Sequence, residues 1–204
     1  MFPIFAFLLV EGFFHTRDLK RYVLRLLLLA LLSEIPFDLM YAGTSFFPFH
    51  QNVIWTFLIA LFCMWVIERV KRRGNLWLTL LAAAGISLAG WLAGTIAMVD
   101  YYGAGVLTVL LFYLFRGGLW WQRLGQAAGM IWINCGLLAG LVLQVNILGL
   151  TVEFPQQGFA LLALIPIWLY RGRQGYHSRW VQTACYLFYP VHILVLAMMV
   201  RFLL

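Results

Sequence analysis

The sequence predicts an all-α, polytopic transmembrane bundle of about seven helices plus an N-terminal partial helix, forming one integral-membrane domain over residues 1–204. Three observations predict it. Of 204 residues, 64% are hydrophobic and only 10% are charged, whereas an ordinary soluble domain is about 25% charged. Apolar runs near the ~20 residues needed to cross ~30 Å of hydrocarbon recur along the chain. Lys and Arg fall in alternate loops between those runs. So few ionisable side chains cannot cover a water-facing surface, which excludes a soluble enzyme, a disordered tail and a nucleic-acid-binding domain.

Taken in order, the first element is a stub, Phe2 to Phe14, too short to span. Full-length runs follow at Tyr22 to Tyr41, Val53 to Val70 and Leu76 to Val99. A marginal, Gly-marked helix covers Tyr101 to Phe115. Gly125 to Leu150 is again long enough, Gly158 to Tyr170 is marginal and Pro-marked, and Trp180 to Leu204 completes the set. No internal repeat or low-complexity tract occurs. Cys63, Cys135 and Cys185 lie inside apolar runs without C-x-x-C spacing, so they read as small buried hydrophobes rather than as a disulfide or zinc framework.

The loops set the orientation. Arg17, Lys20 and Arg21 lie in the first; Arg69, Lys71, Arg72 and Arg73 in the third; Arg116 and Arg123 in the fifth; Arg171, Arg173 and Arg179 in the seventh. Loops 41–52, 99–104 and 151–157 hold no Lys or Arg. Basic residues are retained on the cytoplasmic side, so the odd loops are cytoplasmic and the even ones extracytoplasmic. The net charge of +7 is thereby explained by topology, with no nucleic-acid partner. This orientation places Met1 outside the membrane with nothing to carry it there, and the expectation is a further helix upstream.

Ionisable groups inside the membrane cost about 2.5–3.5 kcal/mol each and are functional candidates by default. Glu11 and His15 are spaced i, i+4, so they share one helix face; a carboxylate there can fix an imidazole's tautomer, or Glu11 can simply pair with Arg25. Glu34 and Asp38 repeat the spacing around Pro36, which frees a backbone carbonyl and fits a cavity wall better than a lipid-facing one. Two such carboxylates cannot both ionise cheaply, so one is a candidate general acid or base. His192 follows Tyr189-Pro190-Val191, and a proline kink should aim it inward; a structural hydrogen bond is the plainer role. Asn52 and Asp100 begin helices at the outer face, and Asn134, Gln144 and Asn146 place amides along one helix. Glu34, Asp38, Asn52, Asp100 and His192 populate the outer half and Glu11 and His15 the inner half, as a polar path open to both sides would. H-E-x-x-H, P-loop and G-x-S-x-G motifs are absent, and four scattered histidines make no metal site.

The block running from Phe2-Pro3-Ile4-Phe5 through Glu11-Gly12-Phe13-Phe14-His15-Thr16 to Arg17-Asp18-Leu19-Lys20-Arg21-Tyr22 resembles the TraX family of membrane proteins. Ser33-Glu34-Ile35-Pro36-Phe37-Asp38 and Gln51-Asn52-Val53 resemble it too. Asp100-Tyr101 with Gly103 and Gly105, and Phe188-Tyr189-Pro190-Val191-His192, are weaker matches. The resemblance spans essentially the whole chain. It implies a multi-pass acyltransferase of the bacterial cytoplasmic membrane that moves acetyl from cytoplasmic acetyl-CoA to an acceptor amine or hydroxyl. In the namesake of the family, a conjugative-plasmid protein, the acceptor is the pilin N-terminus. It implies catalytic roles for Glu11, His15, Glu34, Asp38 and His192, and substrate contacts by Asn52, Asp100, Tyr101 and Tyr189. Arg17, Lys20 and Arg21 would meet the coenzyme phosphates, with no metal. The implied partners are the lipid bilayer and a pilin-like peptide or glycan. Family members usually begin with another helix carrying an Asp-His pair, so the domain reads as N-terminally incomplete. A solute transporter or flippase using the same carboxylates, or a non-catalytic envelope or pilus assembly protein, are the competing functions.

Overall fold

A computed structural model of the chain describes residues 1–138, 140–147, 150–172 and 178–203. Eight α-helices make up most of it: α1 (Phe2–His15), α2 (Leu19–Ala42), α3 (Val53–Lys71), α4 (Leu76–Ile96), α5 (Tyr102–Leu114), α6 (Trp120–Ile131), α7 (Leu164–Leu169) and α8 (Arg179–Leu203). The predicted helical bundle is therefore what forms. Val53–Lys71, Leu76–Ile96 and Thr183–Arg201 are long and apolar enough to cross a membrane.

The helix starts follow local chemistry. Asp18 caps α2 by accepting from the Arg21 N–H, Asn52 caps α3 through Ile54, and Asn75 caps α4 through Leu78; side-chain oxygens at these positions satisfy amides that the first helical turn leaves free. Gly43, at φ +69°, ends α2 in the left-handed conformation that suits glycine.

The centre of the bundle is not one of the long helices. It is α5, whose residues from Gly103 to Tyr113 are buried with the single exception of Leu107. A helix apolar all round needs cover on all sides, and α5 packs against α1, α3, α4 and α6. The close α4–α5 contact depends on small residues. A side-chain carbon at Gly103 would come within 2.3 Å of the Trp91 carbonyl oxygen, nearer than any relaxed packing allows. By contrast, α4 shows most of its surface: Leu80, Leu81 and Leu88 are exposed, the lipid-facing pattern of a spanning helix. Along its length, α8 lies chiefly on α2.

The expected helix over Gly125 to Leu150 does not form as one element. After α6 the chain runs as a π-helix, Trp132–Leu137, and then as an antiparallel hairpin of β1 (Val142–Ile147) and β2 (Leu150–Pro155), with Gln144 opposite Glu153. The buried Asn134 amide donates to the Met130 carbonyl, the acceptor its own backbone would use, and the helix widens to the Leu138 N–H→Ile133 bond. Beyond it, apolar and polar residues alternate with a period of two and many are β-branched, which is the mark of a strand. Asn134 is thus on the π-turn and Gln144 and Asn146 are on β1, not along one helix. Gly158 to Tyr170 is a 3₁₀ turn, Gln156–Ala163, passing into α7. Of the cysteines, Cys63 is buried, Cys135 half-buried and Cys185 exposed. Arg173 lies outside the described residues.

Candidate functional site

Polar side chains gather at the two ends of α5, and the richer gathering is at its N-terminal end. There α2 contributes Glu34 and Asp38 one turn apart. The fully buried Asn52, at the start of α3, donates from Nδ2 to both the Ala30 carbonyl (2.9 Å) and the Glu34 carboxylate. The Trp55 indole N–H donates to the same Glu34 oxygen at 3.1 Å. Asp38, also buried, accepts the Phe47 N–H at 2.9 Å and so ties the loop after α2 back to its helix. Each carboxylate has a second buried oxygen, Glu34 Oε1 and Asp38 Oδ1, without a hydrogen-bond partner among the described residues, and the neighbouring Ser33 hydroxyl has none there either.

The loop between α4 and α5 closes this end. Gln51 pairs with it twice through the backbone, donating to Met98 and accepting from Asp100 at 2.9 Å each. Thr56 Oγ1 donates to the Asp100 carbonyl at 2.8 Å. Met98, Tyr101 and Tyr102 all sit at positive φ, between 48° and 61°. Three such residues are costly for L side chains, and strain of this kind collects where a geometry is held for use. What it holds is Asp100 against His50: His50 Nε2 stands 3.8 Å from Asp100 Oδ1. The imidazole is stacked on Tyr41 at 4.5 Å and on Phe37 at 5.7 Å, and its Nδ1 is buried without a partner among the described residues. The Tyr101 ring stacks on Phe2 of α1 at 4.4 Å. From α8, Tyr189 packs against the buried core, within electrostatic reach of Asp100, Glu34 and Tyr101.

Six of the sequence-nominated residues, Glu34, Asp38, Asn52, Asp100, Tyr101 and Tyr189, therefore meet. His192 does not join them by any hydrogen bond among the described residues. Its Nδ1 lies 2.9 Å from the carbonyl of Phe188 and its ring stacks on that side chain at 4.9 Å, edge-on to Tyr189. Pro190 is accommodated within α8, and the histidine bonds back along its own helix instead of reaching across.

Burial is the larger influence on the Asp100 carboxyl and raises it above its ordinary range, with His50 opposing; burial and then the Asp100 charge push the Tyr101 phenol up as well. A raised carboxyl favours the protonated folded form. Folding therefore carries no penalty below the unfolded value near 3.9, and the penalty grows as pH rises through the folded value and persists at neutrality. Asp100→Asn is expected to raise the melting temperature at pH 7.5 and to make little difference at pH 3.5. Thermal unfolding in detergent at both values checks this. A variant less stable than wild type at pH 7.5 would mean that the His50 attraction outweighs burial.

Glu11 and His15 sit at the opposite end. Arg116, in the turn after α5, grips the Glu11 carboxylate through Nε at 2.7 Å and Nη2 at 3.2 Å and lies 4.3 Å over the Phe14 ring. Arg116, not Arg25, is the partner of Glu11. His15 Nδ1 is 2.8 Å from the Glu11 carbonyl and 3.7 Å from its carboxylate. Nearby, the Tyr113 hydroxyl donates to Glu68 at 2.9 Å. Arg17 and Arg21 line a shallow groove with Leu24 and Leu28; Arg21 pairs with Asp18 at 3.0 Å, and Lys20 projects from the same turn of α2. Between the two ends stand the buried apolar residues of α5, Val106, Val109, Leu110 and Phe112. The two polar groups are separate, and no continuous polar path joins them among the described residues.

Sequence reasoning passed over His50, Trp55, Glu68 and Arg116 as members of these clusters. A signal existed for two of them: His50 lies in a loop free of Lys and Arg, two residues before a helix cap, and Glu68 lies near the end of an apolar run. Arg116 and Glu11 are 105 residues apart, and nothing local links them.

A probable fimbrial assembly protein, FimC of serogroup H1 from Dichelobacter nodosus, is 29% identical over 213 residues, covering 98% of this chain and 80% of its own. No solved structure matches the chain. The description of the TraX protein family fits residues 1–200, all but the last few of the sequence, and the chain, with three helices long and apolar enough to cross a membrane, belongs to the TraX family of membrane proteins.

Proposed function

We propose that this protein is a multi-pass acyltransferase of the bacterial cytoplasmic membrane, acting in pilus assembly, that moves acetyl from acetyl-CoA to an acceptor amine or hydroxyl. The observation that carries the reading is the pair of carboxylates, half-buried Glu34 and buried Asp38, each with one buried oxygen lacking any donor among the described residues. An acceptor nucleophile must lose a proton as it attacks the thioester carbonyl. The new C–N or C–O bond forms, the C–S bond breaks, and the coenzyme leaves as its thiol. A carboxylate oxygen with no competing hydrogen bond is suited to take that proton. Asn52 and Trp55 hold the other Glu34 oxygen and fix the group in place. Asp38, Asp100, Tyr101 and Tyr189 shape the acceptor end of the site, and His192 borders it through Tyr189. At the basic end, Arg17, Lys20 and Arg21 are candidates for the coenzyme phosphates, and Glu11 with His15 are the alternative pair for taking the acceptor's proton. The coenzyme's long arm is what would carry a thioester from one end of α5 to the other. Acceptors of the expected class are a pilin-like peptide or a glycan presented at the bilayer.

The name of the Dichelobacter nodosus relative favours a second reading, an assembly protein without catalysis. One experiment separates the two. Purified protein in nanodiscs is given radiolabelled acetyl-CoA together with a peptide bearing a free N-terminus or an oligosaccharide. Label on either acceptor is the expected result. No label on either, with solute flux that needs Glu34 but no coenzyme, would instead establish a transporter; no label and no flux would leave the assembly role.

A further inference from the structure

A second cleft shares only Glu11 with the groups assigned above. About 270 Å³ in volume, it opens at the basic end of the bundle between α1, the α5–α6 turn, α6 and the segment after α7; Glu11, Arg116, Arg123, Gln126, Trp168 and Tyr170 form its walls. Its parts are fixed before any ligand arrives. The two bonds from Arg116 to Glu11 cancel one positive charge against one negative and set the guanidinium plane. Gln122 holds the turn in place, donating to the Arg116 carbonyl at 2.9 Å and accepting the Leu119 N–H at 3.0 Å. Gly117, at φ +140°, leaves room for that side chain, since a Cβ there would lie 2.1 Å from it. On the far wall the Trp168 indole N–H donates to Gln126 at 2.8 Å, and Gln126 in turn donates to the Phe115 carbonyl at 2.9 Å. Arg116, Arg123, Trp168 and Tyr170 all reach the surface, but among the described residues Arg123 has no ion pair. It supplies a single uncompensated positive charge at the rim of an aromatic-walled hollow.

We infer that this cleft binds a phosphoryl group belonging to an amphiphilic ligand. A guanidinium matches phosphate oxygens in charge and fork geometry, while the Trp168 and Tyr170 rings cover the less polar body attached to it. The volume is slightly below the ~300 Å³ at which small-molecule pockets begin, so it admits a headgroup and not a whole coenzyme. Two sources carry this chemistry at the basic face of a membrane protein: the phosphates of coenzyme A and the headgroup of an anionic phospholipid. The coenzyme source rests on the acyltransferase reading; the lipid source does not.

The test uses the full chain in two preparations. In phosphatidylcholine nanodiscs, equilibrium dialysis with labelled coenzyme A is run on wild type, Arg123→Gln and Arg123→Glu. In detergent, native mass spectrometry follows retained phosphatidylglycerol on the same proteins. Arg123 is exposed and unpaired, so both variants are expected to fold, and Arg21→Gln probes the other basic groove. If the coenzyme is the ligand, Arg123→Gln weakens its binding about tenfold and Arg123→Glu weakens it further. If the lipid is the ligand, coenzyme binding is absent and phosphatidylglycerol retention falls in the same order, which upholds the cleft while removing the acyltransferase reading. Coenzyme binding that falls in Arg21→Gln and ignores both Arg123 variants overturns the cleft and leaves that reading standing. Wild-type binding of neither ligand also overturns it.

Discussion

Glu34→Gln is expected to lower acetyl transfer about 10²–10⁴-fold, the usual contribution of a positioned general base, while the protein still folds. The two donors on this side chain, Asn52 Nδ2 and Trp55 Nε1, converge on one oxygen, and a glutamine carbonyl accepts both. What the amide cannot do is take a proton at the position of Oε1, the oxygen that stands buried and without a partner. The expected pattern is a fall in kcat with the melting temperature close to that of wild type. The chemistry is read by single-turnover transfer of labelled acetyl and the fold by thermal unfolding in detergent. Transfer within about threefold of wild type would show that Glu34 handles no proton in the slow step, and the assignment would move to Asp38. The same substitution also distinguishes a chemical role from a packing one, because Glu and Gln are nearly equal in volume.

Asn52→Ala is expected to be the most damaging change to stability, at about 3–5 kcal/mol. Three roles are lost together. The Asn52 carbonyl oxygen caps α3 at the Ile54 N–H, 3.0 Å away, and removal of such a cap costs about 1 kcal/mol. Its amide donates to the Glu34 carboxylate, a bond to a charged group that contributes about 1.5–3 kcal/mol. It also donates to the Ala30 carbonyl at 2.9 Å. Asn52 is fully buried, so water does not replace these bonds. Asn52→Ser restores the cap alone and should recover about 1 kcal/mol of the loss. Denaturant titration in detergent, following helical signal, measures both variants. A loss below about 1 kcal/mol for the alanine variant would mean that this amide does not tie α2 to α3.

These expectations depend on residues whose candidacy was legible before any fold was known. Glu34, Asp38 and Asp100 stood out because ionisable groups in or beside apolar runs are expensive, and Asn52 because it sits where a helix must be capped. These four meet in space, together with Tyr101 and Tyr189, which the family resemblance and not the cost argument brought forward. The cost argument worked less well for His192, where the proline that was expected to turn the ring inward is absorbed within a continuous α8. It passed over His50 altogether, because a histidine in a polar loop costs little until tertiary contacts bury it.

Hydrophobicity and charge act residue by residue along the chain, and so the sequence by itself determined the helical class, the apolar spans, the capped helix starts and the alternation of basic loops. The hairpin after Leu141, expected as helix, was a matter of period and not of apolar content; the alternation that marks it is visible in Val142 to Phe154. The tertiary structure alone decided what lies between distant segments. It put the short α5 at the centre, where a helix apolar on every face must go. It joined Glu11 to Arg116 across 105 residues, and it left Glu34 and Asp38 with unfilled acceptor oxygens in a buried setting. Pairing and burial are properties of packed surfaces, and no window of sequence contains both members of such a pair.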